Sequence, residues 1–316
     1  MKKLELKYNF LGVSRLFATV SIVLTALSLV IIMANGFNYG IDFAGGTEIQ
    51  VKFEQPVKTS DVRGFADKMD LKSASVQSFG EGNEFLIRMD SIEGKNDKET
   101  NKMLNELIAK VTSGLETQFT EQKATIRRVD SVGPQVGSEL KRNGLLAVFY
   151  SLLMILIYIG LRFDYKYAPS AVFCLFHDAI ITLGIFSLIG HEVNVQTLAA
   201  ILTIIGYSLN DTIITFDRIR ENVVTLRDYS FYDIVNRSLN DVLSRSILTS
   251  FTTMLAVVAM YFLASGVIKD FAFALGIGII IGTYSSIYVA SPLVVLVDKW
   301  QQNSRKSVAR AATAKI

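Results

Sequence analysis

The sequence predicts a membrane all-α bundle of six transmembrane helices carrying one extracytoplasmic α+β domain of ferredoxin-like (βαββαβ) order. Three observations carry this reading. Six apolar runs are each long enough to cross a bilayer core, which needs roughly 20 helical residues. One stretch, 38–142, is as polar as a soluble domain. Within it the apolar residues recur with period two or period 3.6, in the order strand, helix, strand, strand, helix, strand. The chain has 316 residues, 50% hydrophobic and 19% charged, enough for two domains by length. Concentration of the charge in one stretch and in short connections argues against a soluble enzyme or a disordered chain. A net charge of +3 gives no reason to expect nucleic acid as a partner.

The apolar runs are 16–33, 144–161, 168–189, 195–216, 246–264 and 271–297. They divide the chain into an N-terminal segment with the first helix (1–35), the α+β domain (36–142), five further helices (143–298) and a tail (299–316). The first run follows Lys2, Lys3 and Lys7, as a signal peptide would. Its apolar region exceeds the usual range of about 7–15 residues and no small-residue cleavage site follows, so it reads as an uncleaved helix. The last run is long, and tilt or a kink near Pro292 would absorb the excess.

Orientation follows from lysine and arginine in the short segments. The N-terminal segment holds Lys2, Lys3, Lys7 and Arg15, and the loop after the second span holds Arg162 and Lys166. The loop after the fourth holds Arg218, Arg220, Arg227 and Arg237, with Arg245 at its edge; the tail holds Lys299, Arg305, Lys306, Arg310 and Lys315. The alternate loops, 190–194 and 265–270, hold only Lys269. Both termini are therefore expected in the cytoplasm and the polar domain outside. Trp300, Tyr165 and Tyr167 stand where interfacial aromatics are expected.

In the polar domain, 48–54 reads as a strand with Ile49, Val51 and Phe53 on one face, and 59–69 as a helix capped by Thr59 or Ser60. Segments 74–79 and 84–89 read as strands joined by a hairpin at 80–83. A longer helix, 97–119, places Met103, Leu104, Leu107, Ile108 and Val111 at helical spacing, and 125–132 closes the domain as a strand. No catalytic triad, metal spacing or phosphate loop occurs there. Gly45-Gly46 lacks the strand-to-helix context of a nucleotide motif and reads as a tight turn. The domain is thus a binding or interaction module. One cysteine, Cys174, and two histidines, His177 and His191, exclude an intrachain disulfide and argue against a structural zinc site.

The chemistry-bearing signal lies in the spans. Asp211 falls deep in the fourth, roughly 9 Å along the axis from Asp217. An ionised Asp at a helix centre costs about 2.5–3.5 kcal/mol on insertion scales, so such residues face protein or water. Ser208, Asp211, Thr215 and Arg218 recur at i+3 or i+4 and form one polar stripe; Asn210 adjoins it. The fifth span offers Arg245, Thr249, Thr252 and Thr253, with Arg245 on the side of Asp211, so that the two could pair. Arginine would favour the ionised carboxylate and burial would disfavour it; a carboxylate between these effects can load and release protons. The third span adds His177-Asp178 near mid-membrane, with Cys174 and Thr182 on the Asp178 face. A static packing hydrogen bond is the alternative for Asp211, snorkelling to the interface for Arg245, and an interhelical hydrogen bond for His177. Gly278 and Gly282 in the sixth span have the spacing of close helix packing, and the run from Asp217 to Glu221 reads as a solvated or docking face.

These residues resemble the SecD/SecF family of membrane proteins that assist protein export. The resemblance rests on Tyr39-Gly-Ile-Asp42-Phe-Ala-Gly45-Gly46-Thr47, on Val132-Gly133-Pro134-Gln-Val-Gly137, and on His177-Asp178. It rests further on Gly206-Tyr-Ser-Leu-Asn210-Asp211, continuing to Asp217-Arg218-Ile-Arg220-Glu221-Asn222, and on Arg245 with Thr249 and Ser250. The small external region is similar to the SecF branch of the family rather than to SecD or a fused SecDF. Membership implies a place in the resistance–nodulation–division superfamily of proton-coupled transporters and in the bacterial cytoplasmic (inner) membrane. It implies SecD as partner, cooperation with SecYEG and other Sec subunits, and action on translocating unfolded polypeptide. It also implies that Asp211 and Arg245 lie on the proton pathway, with His177 and Asp178 as further motif positions. No cofactor is expected; the coupling ion would be H⁺, with Na⁺ as the alternative. ATP hydrolysis would belong to a separate motor. Two rival readings are a scaffold subunit whose polar stripes only fix packing, and a small-molecule efflux subunit of the same superfamily.

Overall fold

The computed structural model describes residues 7–313 except 70, 72–73, 80–82, 93, 95, 164–165 and 265. Lys2, Lys3, residues 80–82 of the expected hairpin turn, Tyr165 and Lys315 lie outside the described residues, as do the side chains of Arg305, Lys306 and Arg310. Each apolar run becomes a helix: α1 (Ser14–Asn35), α5 (Pro134–Arg162), α6 (Tyr167–Ile189), α7 (Val195–Thr225), α8 (Phe231–Leu263), and α9 (Val267–Ser285) continuing into α10 (Ser291–Thr313). All six are long and apolar enough to cross a membrane, and the chain is an integral membrane protein.

Near Pro292, where the sequence leaves tilt or a kink open, the helix carries a single π-helical turn, Ser286–Ala290. Pro292 has no amide hydrogen, so the carbonyl four residues earlier has no α-helical donor. The wider turn accommodates that gap without breaking the helix, and the Ser291 hydroxyl donates to the Ser286 carbonyl at 2.9 Å.

Between α1 and α5 the chain forms β1 (Asn38–Tyr39), a short helix α2 (Ile41–Ala44), β2 (Gly46–Lys52), α3 (Thr59–Lys68), β3 (Ser75–Ser78), β4 (Glu84–Met89), α4 (Asp97–Gln118) and β5 (Thr125–Val132). The four longer strands form one antiparallel sheet in the order β3-β4-β2-β5. Ile49, Val51 and Phe53 point to one face and are buried with Val62 and Phe65 of α3 and Val111 and Leu115 of α4. Two local expectations fail. Neither Thr59 nor Ser60 caps α3: Lys58 occupies the cap position, and the Ser60 hydroxyl turns to Asp61 at 3.3 Å. Met103 is 41% exposed, because the second half of α4, through Val111 and Leu115, makes the core contact.

Gly45 and Gly46 form the tight turn into β2, with φ of +76° and +134°. A Cβ on Gly46 would stand 2.8 Å from the Met89 carbonyl oxygen, and one on Gly45 would stand 3.0 Å from Pro134 Cα. Gly137 faces the same turn, its would-be Cβ 3.0 Å from the Gly45 nitrogen. The turn is thereby locked against the first turn of α5. Gly46→Ala is expected to cost about 2–3 kcal/mol from strained backbone and the clash together, read as a lowered thermal midpoint of the purified protein, whereas Gly64→Ala in α3, where nothing obstructs a Cβ, should be neutral or stabilising.

In the bundle, α7 packs between α6, α8 and α9. Gly278 and Gly282 let α9 approach it closely, facing Ile204 and Ser208; the close packing read from their spacing is what they provide. Tyr167, expected at the interface, is instead buried against Phe216 with ring centroids 5.0 Å apart, while Trp300 is exposed. The basic segment after the fourth span is not a loop. α7 runs on to Thr225 and α8 starts at Phe231, capped by Ser230, whose hydroxyl accepts from the Asp233 amide. Pairs such as Arg218–Glu221 and Arg237–Asp241, at i+3 and i+4, carry the two helices beyond the apolar span.

Candidate functional site

The polar face of α7 points into the bundle. Ser208, Asp211 and Thr215 of the stripe read from the sequence are buried, with Thr212 beside them, whereas its fourth member, Arg218, is partly exposed and pairs with Asp241 and Glu221. Asn210 is not part of the stripe: it is exposed with Gly206, about 100° from Asp211 and about 160° from Ser208 round a helix of 3.6 residues per turn.

Two carboxylates lie inside. Asp178 of α6 is fully buried and saturated. Its Oδ2 accepts from Ser208 Oγ of α7 at 2.5 Å and from Ser285 Oγ of α9 at 2.8 Å, and its Oδ1 is 2.9 Å from His177 Nδ1. It ties three helices together. The interhelical bonds expected of His177 are therefore made by Asp178. The His177 ring stacks near Tyr284, centroids 6.4 Å apart, and its Nε2 is buried without a partner among the described residues.

Asp211 is the contrasting case. It is 2% exposed, and its Oδ2 has no hydrogen-bond partner among the described residues. Ser250 of α8 is the side chain that reaches it; Ser250 in turn shares a hydrogen bond with Thr283 at 2.7 Å. The pairing of Asp211 with Arg245 is absent: no ion pair joins them among the described residues, and Arg245 is exposed. The cause is side-chain direction. Helical side chains tilt toward their own N-terminus, and α7 and α8 are antiparallel neighbours, so Asp211 and Arg245 tilt apart. Of the fifth-span stripe, Thr249, Thr252 and Thr253 bond to carbonyls of their own helix, and Thr253 also receives Tyr207 of α7; Ser246 and Ser250, outside that stripe, are buried.

Arg245 opens onto a charged cavity of about 310 Å³ with Asp217, Arg218, Glu221 and Asp241. Arg218 bonds Asp241 at 2.8 Å and Glu221 at 2.9 Å; Arg220 lies 3.6 Å from Asp217. This face is an ion-pair network in an open cavity. Ile213, Ile214 and Val242 also line it. Ile214 is one helical turn, roughly 4.5 Å along the axis, from Asp211. The cavity lining thus comes within one helical turn of Asp211 along α7.

At the other end, α7 is held by the α/β domain. Asp42 Oδ2 accepts from the Val195 amide at 3.1 Å, an anion at the helix N-terminus. β1 pairs in parallel with β6 (Glu192–Val193), which leads into α7. Arg88 of β4 donates through Nη2 to Glu48 at 2.7 Å and to Glu192 at 2.6 Å, bridging the sheet to the α6–α7 connection. Burial opposes the Arg88 charge, but Glu192 and Glu48 outweigh it and hold its pKa above the ordinary range. Burial, only partly offset by Arg88, pushes the Glu48 carboxyl up. A raised carboxyl pKa favours the folded state below the ordinary glutamate pKa of about 4.3, and that contribution is lost as pH rises through the raised folded value. Glu48→Gln should therefore raise the thermal midpoint by a few degrees at pH 7–8 and leave it unchanged at pH 3.5, as a melting series across pH will read.

With this geometry in place, comparison with known proteins is direct. Residues 112–300 match the family described as protein export membrane protein SecD/SecF, C-terminal, and residues 30–57 match the SecD/SecF GG motif. The chain belongs to the SecD/SecF family. It is 43% identical over 291 residues to the protein translocase subunit SecF of Calditerrivibrio nitroreducens, covering 92% of this chain and 93% of that one. It is 39% identical to the protein translocase subunit SecDF of Thermus thermophilus, covering 95% of this chain but 39% of the relative. A crystal structure of the Thermus SecDF, a translocon-associated membrane protein, superposes with a TM-score of 0.80 at 38% identity, over 95% of this chain and 40% of that one. A super-membrane-facing form of SecDF matches with a TM-score of 0.68.

Within the family's GG motif, Asp42 accepts from the Val195 amide at the start of α7, whose cap residue is Asn194, and Gly45-Gly46 forms the turn, which Pro134 and Gly137 press against; Gly133 is the residue before α5. Ser250, Ser285 and Arg88 are the contacts that sequence reasoning missed. A serine in an apolar helix adds little to its periodicity, and Arg88 reads as an ordinary outward strand residue. Only the spacing Ser246–Ser250–Thr253, parallel to Ser208–Asp211–Thr215, carried a signal.

Proposed function

We propose that this chain is a SecF-type translocase subunit that couples proton entry through the membrane to protein export. The observation that carries the reading is the buried, unpartnered Asp211 carboxylate oxygen, one turn from a charged cavity. A carboxylate so placed is costly when ionised and changes its preferred surroundings on taking up a proton. Coupling runs through α7: Asp211 lies at mid-helix, and Asp42 and Arg88–Glu192 fix the helix end to the α/β domain. A shift of α7 on protonation would thereby move that domain. Arg245 stands at the cavity, where it would stabilise an ionised Asp211 if the α7–α8 interface slides. Asp178, bonded to His177, holds α6, α7 and α9 around this path, with Thr215 beside it.

The working assembly includes SecD, which would supply six further spans, and SecYEG as the channel for unfolded polypeptide. The chain's match to 40% of the Thermus SecDF supports the SecD partnership. Orientation by lysine and arginine puts both termini in the cytoplasm, in the inner membrane, with the α/β domain outside. The role is transport rather than catalysis, with H⁺ as the coupling ion and Na⁺ the alternative. The test is export into sealed vesicles containing this chain with SecD and SecYEG, under an imposed proton gradient, a sodium gradient, or neither. Stimulation by the proton gradient alone is expected. Equal export in all three would overturn the coupling.

A further inference from the structure

Between α5 and α6 lies an apolar groove of about 450 Å³ that none of the coupling machinery uses. Leu152 and Ile201 form its buried back wall, and Leu145, Phe149 and Phe176 its exposed rims. Phe37, Tyr39 and Phe43 close the end nearest the α/β domain. One charged side chain lines it among the described residues, Lys141, at that same end. Its Nζ rests 3.9 Å from the Tyr39 ring centroid and makes no ion pair among the described residues.

We propose that this groove binds an anionic phospholipid, one acyl chain lying along α5 and the phosphate on Lys141. The dimensions select the occupant. From Gly144 to Leu156 the groove follows α5 for roughly 18 Å. One leaflet is half of a hydrocarbon core of about 30 Å. The groove therefore matches a single chain in the leaflet next to the α/β domain. Charge selects the headgroup. An ammonium at the interface, uncompensated by any carboxylate among the described residues and steadied by an aromatic face, attracts a phosphate. Depth comes from small residues: Gly144 and Ala179 leave room where larger side chains would close the slot, and Gly144 already sits against Leu198. The inference rests on the membrane placement alone and stands whether or not Asp211 carries protons.

The test uses the full chain in nanodiscs of phosphatidylcholine containing a few per cent of phosphatidylglycerol with a photoactivatable group near the end of one acyl chain. Crosslinked peptides are mapped by mass spectrometry, with the lipid-facing side of α8 around Leu248, Phe251 and Leu255 as the internal reference. Labelling of α5 and α6 lining residues above that reference is expected. Lys141→Glu should lower it by at least about fivefold. Ala179→Trp, which fills the slot, should abolish it while leaving α8 labelling unchanged. If Ala179→Trp fails to fold, Lys141→Glu alters only the groove mouth and decides alone. Equal labelling of groove and α8, or labelling indifferent to Lys141→Glu, would overturn the site. Equal labelling by a matched phosphatidylcholine probe would overturn the anionic headgroup, and preferential labelling by an apolar peptide probe would overturn the lipid.

Discussion

Asp211→Asn should abolish the stimulation of export by a proton gradient while leaving the protein as stable as before. The two halves follow from one observation. The Asp211 Oδ2 is buried and unpartnered, so in its ionised form it costs about 2.5–3.5 kcal/mol on insertion scales. Asparagine keeps the shape and removes that cost. Its unpaired amide adds back about 1–3 kcal/mol, and the two nearly cancel. A thermal midpoint within a few degrees of wild type is expected, together with normal recovery of the complex with SecD. What asparagine cannot do is bind and release a proton, so gradient-driven export should fall at least tenfold, to the rate seen without a gradient. Asp211→Glu retains the charge with one extra methylene and should keep part of the response. The scaffold reading makes the opposite forecast: asparagine would lower recovery of the complex, and the complex that forms would still respond. Measuring export per assembled complex separates the two. A drug-efflux role forecasts drug sensitivity with normal export.

How much of this was legible in the sequence depends on the range of the interaction. The six spans, the alternating strands and the inward stripe Ser208–Asp211–Thr215 are local patterns, set by apolar spacing along one element, and they stand as read. The Asp211–Arg245 pairing was a contact between elements. It failed because the spacing of residues along a helix does not show which way their side chains tilt relative to a neighbour of opposite direction. β1 and β6 are two-residue strands paired between Asn38 and Glu192; neither has enough residues for a period. Arg88 alternates outward like any strand residue, and what makes it a bridge is Glu192, far along the chain. The Gly45-Gly46 turn was legible as a turn, but its clamp against Pro134 and Gly137 was visible only in the fold. Polar contacts across the bundle are the class that sequence reasoning loses. Serine and threonine fit either a lipid-facing or an inward position at small cost.

Asp178→Ala should be the most destabilising single substitution in the bundle, at about 3–5 kcal/mol, because it strips the acceptor from three side chains at once and leaves a buried imidazole alone. Asp178→Asn keeps one acceptor oxygen but turns an amide toward hydroxyl donors, and should cost about 1–3 kcal/mol. Thermal midpoints in detergent read both. The Ser208 hydroxyl donates to Asp178 Oδ2 at 2.5 Å, and His177 Nδ1 lies 2.9 Å from the other oxygen. A double-mutant cycle of Asp178→Asn with His177→Gln is therefore expected to give a coupling above about 0.5 kcal/mol, the lower end for residues in one hydrogen-bond network. Coupling below that value would mean that Asp178 holds α6, α7 and α9 in register without its neighbour, and that packing near Tyr284 alone places the imidazole.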